Sequence, residues 1–287
     1  MSTINTSIDI CEKLPRGIVP LYRAIDSAAS ALNMPYLVVG AMARDLVLVF
    51  GFGARIERGT RDVDFGIQVD SWDDFQNLKK ALVEQGFTTT EKEEQLISPS
   101  DWDLSLDSLD LVPFGGIQDE AANIFWPPKE SMVMNVLGFE EALQNATTVI
   151  MSRDPLLEIP VASPSGVVLL KFVAWTGRIA SIKAKDARDI HYLMATYNKI
   201  DEIDSLAYTE GVMEKYDHDA DLASAYLLGK HAGEIAQAPT KTHIRGIFRG
   251  AIFGRTRQEL MLDMSQLGEA DHIEDLLDAF LEGFELN

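Results

Sequence analysis

The spacing of apolar residues changes repeatedly along the chain, and each change marks an element. Leu14–Leu32 returns apolar residues at helical spacing, with alanines at packing positions, and predicts a helix. Pro35–Val39 is a short apolar, β-rich run that stops at Gly40 and reads as a buried strand. Ala41–Phe50 follows as a helix closed by the Gly51–Gly53 punctuation. Asp62–Val69 alternates polar or charged with apolar residues, the period of a strand with one buried face. Ser71 is placed to cap a helix over Trp72–Gln85, which Gly86 ends. Asp101–Phe114 contains a further alternating run, closed by Pro113 and the Gly115–Gly116 pair.

This order predicts an α+β fold built on a mixed β-sheet. Composition then shifts near Ile159–Pro164, where Ser163-Pro164 signals a helix start. Helical spacing prevails from there through Ser165–Ile182, Ala184–Tyr197, Leu222–Ala236 and Glu269–Phe284. The chain therefore divides into a sheet-bearing part with an N-terminal helix, residues 1–158, and a helical C-terminal domain, residues 159–287. No internal repeat, low-complexity tract or heptad run interrupts it.

With 287 residues, 46% of them hydrophobic, the chain has material for one large core or two modest ones. Its lone cysteine, Cys11, excludes an internal disulfide and a cysteine-based zinc cluster, and fits a reducing compartment. The N-terminus lacks the basic start and apolar core of a secretory signal, and Val167–Ala174 is too short to span a bilayer. These features predict a cytoplasmic protein without membrane contact. His191, His218, His231, His243 and His272 show no zinc-ligand spacing, and neither GxxxxGK[ST] nor GxSxG occurs.

Formal net charge is −20, a field that repels polyanions at long range. Its distribution is uneven. Lys241–Arg257 carries Lys241, Arg245, Arg249, Arg255 and Arg257 without an acid, whereas Gln258–Asn287 contains no Lys or Arg. An acidic tail of this kind usually solvates a helix face. A basic stretch in an acidic chain suits a phosphate-bearing ligand.

Three separate pieces carry candidate chemistry. Val38-Val39-Gly40-Ala41 is a strand that turns at glycine into a helix, whose free N–H groups can hold phosphate. Asp62 and Asp64, two apart on a strand, project from one face. Adjacent carboxylates repel and raise each other's pKa unless a cation lies between them, and Mg²⁺ prefers such hard oxygen ligands. Asp110, set among Leu109, Leu111 and Val112, would complete a two-metal site if its strand lies alongside; Asp107 competes for that role. Taken one at a time, each piece has an ordinary structural explanation, from a tight turn to solvent-facing acids.

Further on, Lys171, Trp175 and Arg178 fall at helical spacing on one face, and Lys185, Asp186 and Asp189 follow. By themselves these read as surface charges around a core tryptophan and a routine Lys185–Asp189 helix pair.

In order, Gly40-Ala41, Asp62-Val63-Asp64 and Asp110 resemble the pattern of polymerase β-like nucleotidyltransferases. Thr60–Phe65, Leu109–Gly115, Lys171–Arg178 and Lys185-Asp186-Ala187-Arg188-Asp189 look like the AbiEii/AbiGii toxin-like group within that superfamily. The resemblance spans about residues 37–190. It implies NTP as substrate, Mg²⁺ (or Mn²⁺) as cofactor held by Asp62, Asp64 and Asp110, and catalytic roles for Lys171 and Asp186. It implies nucleotide contacts from Gly40, Ala41, Arg44, Lys171, Arg178, Lys185 and Asp189. Ala41 departs from the usual Ser or Gly, which keeps backbone contacts to phosphate and loses a hydroxyl contact. Gly40–Asp45 with Asp62-x-Asp64 is also similar to the opening of tRNA CCA-adding and poly(A) polymerases, without their downstream nucleotide-reading motif.

The expected activity is transfer of a nucleoside monophosphate to an acceptor hydroxyl. The resemblance implies RNA such as a tRNA 3′ end as acceptor, with Lys241–Arg257 as the basic stretch to meet it, and a cognate antitoxin. A small cationic acceptor, or a non-catalytic nucleotide-binding module, are the alternatives.

Overall fold

The computed structural model describes residues 7–14, 17–56, 59, 62–102, 108–127, 133–178, 180–252, 254–265 and 270–286. Thr60, Arg61, Asp107 and Glu269 lie outside them.

The sheet-bearing part opens with β1 (Ile8–Asp9), α1 (Ile18–Ala31), β2 (Tyr36–Val39) and α2 (Gly40–Arg44). It continues through β3 (Asp62–Val69), α3 (Trp72–Glu84), β4 (Thr88–Thr89), β5 (Gln95–Ile97) and β6 (Ser108–Gly115). A two-stranded ribbon, β7 (Asn123–Phe125) and β8 (Val133–Asn135), leads to α4 (Phe139–Gln144), β9 (Thr147–Arg153) and β10 (Leu156–Val161). The eight-stranded sheet runs β1-β9-β10-β2-β3-β6-β5-β4 and is mixed: β1/β9, β10/β2 and β3/β6 are parallel, the other pairs antiparallel.

Alternation decides the faces. Val63, Phe65 and Ile67, with their neighbours Leu109 and Leu111, are fully buried on one face, where Tyr22 of α1 packs against Phe65 at 5.7 Å between ring centroids. The other face carries Asp62, Asp64 and Gly66 on β3, and Asp110 and Phe114 on β6. Toward the strand ends this face is covered by α4: a Cβ on Gly66 would lie 2.9 Å from Phe139, whose ring also meets Phe114 at 5.4 Å. The acids sit at the strand starts, beyond that cover.

Several expected elements need correction. The first helix begins at Ile18 rather than Leu14, after Gly17 in the left-handed region (φ 89°). The helix from Gly40 widens after Arg44 into a π-helical segment, Asp45–Gly51. Of the alternating run expected from Asp101, Ser100–Trp102 is a 3-10 turn and Ser108–Gly115 is strand, which continues through Pro113 instead of stopping there. Proline is tolerated because β5 pairs with β6 only as far as Asp110, leaving one side of Pro113 without a strand partner among the described residues. A domain boundary at 158/159 would cut β10, which belongs to the sheet through Val161 pairing with Val38.

The helical part comprises α5 (Pro164–Gly177), α6 (Ala180–Thr196), α7 (Asp201–Thr209), α8 (Val212–Lys215), α9 (Ala220–Ile235), α10 (Ala238–Phe248), α11 (Arg257–Met264) and α12 (Ala270–Phe284). Ser163 caps α5 by accepting from the Gly166 N–H at 3.3 Å, as the Ser-Pro signal predicts. That helix is buried almost all round and is the axle of this half, with Phe172 meeting Phe248 and Phe280. It stops at Gly177, so the expected continuation to Ile182 does not form. Among the described residues no helix is long and apolar enough to cross a membrane.

Candidate active site

The site is assembled around the β2–β3–β6 strands. Parallel pairing places Asp64 opposite Asp110 and Asp62 opposite Ser108, while antiparallel pairing sets Val39 against Asp64. Register partners share a face, so strands far apart in sequence bring the three acids together. Gly40, at φ +70°, turns the chain from β2 into α2 directly beneath Asp64; a Cβ there would lie 2.2 Å from Asp64 Oδ2. Glycine is required on both counts, left-handed backbone and absence of a side chain.

Each acid has its own setting. Asp62 is exposed and accepts a hydrogen bond from Ser108 Oγ at 2.9 Å. Asp110 is half-buried and accepts from Gln95 Nε2 at 3.1 Å. Loss of water around Asp64 pushes its carboxyl up to about 6; Lys171 and Arg178 oppose the shift while Asp110 and Asp62 add to it. Burial likewise raises Asp110, against the pull of Gln95 and with Asp62 and Glu94 adding to it.

Behind these acids runs a chain of alternating charges, most of it buried. Asp45 Oδ1 accepts from Arg44 Nε at 2.8 Å, and Arg44 Nη1 reaches Asp189 Oδ1 at 2.5 Å. Lys171 Nζ lies 2.8 Å from Asp189 Oδ2 and 2.9 Å from Asp186 Oδ1, and Arg178 Nη1 closes on Asp186 Oδ2 at 2.8 Å. Arg44 is also stacked over Tyr192, 4.8 Å from the ring centroid. Burial alone would lower the Lys171 pKa, but Asp186 and Asp189 outweigh it and hold the ammonium charged. At the far end, the Arg178 side chain, paired with Asp186, is 44% exposed.

Most of the predicted residues therefore converge: Gly40, Ala41, Asp62, Asp64 and Asp110 at the sheet, and Arg44, Lys171, Arg178, Asp186 and Asp189 in the ion chain. Lys185 does not. It is exposed on α6, and the Lys185–Asp189 pair is absent because Asp189 turns inward to Lys171 and Arg44. Nor do Lys171, Trp175 and Arg178 share one helical face: Trp175 is fully buried and donates to Asp263 Oδ2 at 2.8 Å, and Arg178, beyond the helix end, returns in extended conformation to Asp186. Gln95 and Ser108, which orient two of the acids, carry no signal in the sequence beyond their polarity.

The basic stretch is largely matched to the acidic tail. Arg245 pairs with Glu285 at 2.8 Å, Arg257 with Asp278 at 2.7 Å and Glu274 at 3.7 Å, and Arg255 with Glu259 at 3.7 Å. Arg249 is exposed and lines a cavity with Thr242, Arg245 and Glu285.

Among the described residues, no three His, Cys, Asp or Glu side chains are gathered closely enough to hold a metal ion as they stand. The donor set still fits a hard divalent cation, since it consists of carboxylates on one face of the sheet, Asp64 among them deprived of water.

A glycine corner, a DxD strand and a third aspartate on the parallel neighbour thus lie on one side of the sheet, with buried cations behind them. The chain belongs to the family described as nucleotidyl transferase AbiEii toxin, type IV toxin–antitoxin system, whose model matches residues 23–285. No curated protein matches it. Among solved structures, the antibiotic-resistance factor ANT(2'')-Ia is 13% identical, with 70% of this chain and 97% of that chain covered and a TM-score of 0.34. An antigenic nucleotidyltransferase-like protein from Paracoccidioides brasiliensis is 15% identical over 70% and 91%, with a TM-score of 0.38. A CCA-adding enzyme in complex with ATP is 14% identical over 94% and 68%, with a TM-score of 0.26. The family assignment rests on the family match.

Proposed function

We propose that this protein moves a nucleoside monophosphate from an NTP to an acceptor hydroxyl, releasing pyrophosphate, with Mg²⁺ (or Mn²⁺) held by Asp62, Asp64 and Asp110. The observation that carries this reading is the seating of Asp64, opposite Asp110 and directly on the Gly40 turn. A bound divalent cation would supply charge neutralisation on the triphosphate and a more acidic acceptor hydroxyl.

The chain's own residues do the rest. Backbone N–H groups at Gly40 and Ala41 face phosphate at the start of a helix. Asp110, raised by burial, is suited to take the proton of the acceptor hydroxyl. Lys171 and Arg178, whose charges reach Asp64, offset the charge that builds on the leaving pyrophosphate. Asp186 and Asp189 keep Lys171 protonated and in place, and Arg44 holds Asp189.

Membership of a toxin family supports RNA, such as a tRNA 3′ end, as acceptor, and a cognate antitoxin as partner. The pairing of Arg245, Arg255 and Arg257 with acids supports a second reading, a small cationic acceptor drawn by the net charge of −20. Incubation with each α-labelled NTP and Mg²⁺, against total RNA and against a small-molecule extract, tests both. Label in the RNA supports the first acceptor, and label confined to the extract supports the second. A chain that binds NTP and labels neither is a nucleotide-binding module, and the proposed activity fails.

A further inference from the structure

Among the described residues, Arg178 is the one cation of the site that lies beyond a helix end, and its position depends on how α5 terminates. The helix stops at Gly177, leaving its last carbonyls without intrahelical donors, and Arg178 follows at φ −87°, ψ 153°. One of those carbonyls, and the carbonyl just past the helix, are met by a distant residue: Arg255 donates from Nη2 to the Arg178 carbonyl at 3.0 Å and from Nε to the Thr176 carbonyl at 3.5 Å. A guanidinium at this place satisfies orphan acceptors and complements the negative end of the helix dipole.

Arg255 is itself held on several sides. Its guanidinium lies over Trp175, 5.8 Å from the ring centroid, and 3.7 Å from Glu259. Its backbone N–H closes a tight turn onto Ile252 O at 2.7 Å. The following helix, α11, is fastened to the same place: Trp175 Nε1 donates to Asp263 at 2.8 Å, and Lys183 pairs with Asp263 at 2.9 Å. Thr256 caps α11 in a capping box with Glu259, so the acid that faces Arg255 is fixed by the helix start next to it. The side chain that Arg255 thereby sets, Arg178, reaches Asp186 and bears on Asp64.

We propose that Arg255 is a positioning residue for nucleotide binding: it fixes the backbone at the end of α5 so that Arg178 meets the phosphates beside Asp64. This rests on the proposed nucleotidyl transfer, and it gives a role to a C-terminal segment that carries no recognisable motif of its own. Arg255 touches no reacting group; it acts through Arg178.

The test is a double-mutant cycle on the full chain, reading affinity for Mg²⁺ complexes of non-hydrolysable α,β-methylene NTPs by calorimetry, with thermal unfolding measured alongside. Arg255→Ala is expected to weaken binding about tenfold, the effect of roughly one charge-assisted hydrogen bond. In an Arg178→Ala background the same change should add less than about twofold, because the residue through which it works is gone. Arg255→Lys retains charge but cannot fork to two carbonyls, so it should fall between wild type and Ala, and it serves if Arg255→Ala does not fold. Unchanged affinity in a folded Arg255 variant, or an equal loss with and without Arg178, overturns the inference while leaving nucleotidyl transfer standing. A wild-type chain that binds none of the nucleotides removes both.

Discussion

Gly40 and Asp64 occupy each other's space, a mutual exclusion that acts at the scale of single residues. Gly40→Ala would place a methyl 2.2 Å from Asp64 Oδ2 and force an L side chain into a left-handed backbone. The backbone term costs about 1–2 kcal/mol. The larger consequence is displacement of the carboxylate, so nucleotidyl transfer should fall by about a hundredfold or more in a protein that still folds, as expected for loss of one precisely placed catalytic group. A variant with wild-type transfer would show that Asp64 has no need of its seat. Lys171 is a different case. Lys171→Met leaves Asp186 and Asp189 with less compensation in a buried site and should cost about 3–5 kcal/mol in urea unfolding. Lys185→Met, on the exposed side of the neighbouring helix, should stay within about 0.5 kcal/mol and leave transfer unchanged. The contrast shows what single residues reveal in a sequence. Asp62, Asp64 and Asp110 are legible because period-two alternation fixes which face they take. Lys171 and Lys185 look alike in the sequence and are separated only by where α5 ends and how α6 rotates against it. Arg44, buried between two aspartates, is legible as a charge next to the glycine turn but not as the link that reaches Asp189.

At the scale of elements, glycine again decides how closely two pieces approach. Helices α9 and α12 cross where Gly229 and Gly283 meet backbone: a Cβ on Gly283 would lie 2.1 Å from Tyr226 O, and one on Gly229 2.0 Å from Phe280 O. Backbone atoms cannot rotate away as a side chain can. Gly283→Ala should therefore push α12 off α9 and lower stability by about 1–3 kcal/mol, the usual cost of overpacking. Differential scanning calorimetry reads it, and an unchanged unfolding midpoint would refute the crossing. Strongly periodic elements, such as β3, α3 and α9, are readable from the sequence to within a residue or two. The β9–β10 hairpin is less so: Val149, Met151, Leu157, Ile159 and Val161 are all buried in alternation, yet Pro155 and Pro160 count against a strand by local preference. Tertiary pairing with β2 overrides that preference. The break at Gly177 is similar, since the helical pattern runs on past it and only the return of Arg178 to Asp186 shows where the helix must stop.

For the whole molecule, opposite charges that are segregated along the sequence meet in space. The basic run before Arg257 and the acidic tail after it largely satisfy each other, so the charge presented to an approaching ligand is dominated by the net −20. Acid sensitivity also belongs to this scale. Burial lowers the pKa of His231, beside Tyr197, and of His243, beside Thr176, from the ordinary value of 6.5. The unfolded chain then binds more protons than the folded one as pH falls below 6.5. Their contribution is complete above that pH and is lost toward the depressed folded values, at up to about 1.4 kcal/mol per pH unit for each group. Urea midpoints should drop between pH 7.5 and 5, and His231→Gln should flatten that slope; a slope untouched by the change would contradict a neutral buried ring.

The proposed transfer of a nucleotide by acids from two parallel strands, seated on a glycine turn and backed by cations, is open to direct measurement. Its most direct measurement is the rate at which label passes from α-labelled NTP to acceptor for wild type, Asp64→Asn and Asp110→Asn, each shown to be folded by its unfolding midpoint. Both variants should lose at least about a hundredfold in rate, the scale of removing a catalytic acid–base or metal-binding group. Transfer at the wild-type rate by folded Asp64→Asn would place the chemistry elsewhere.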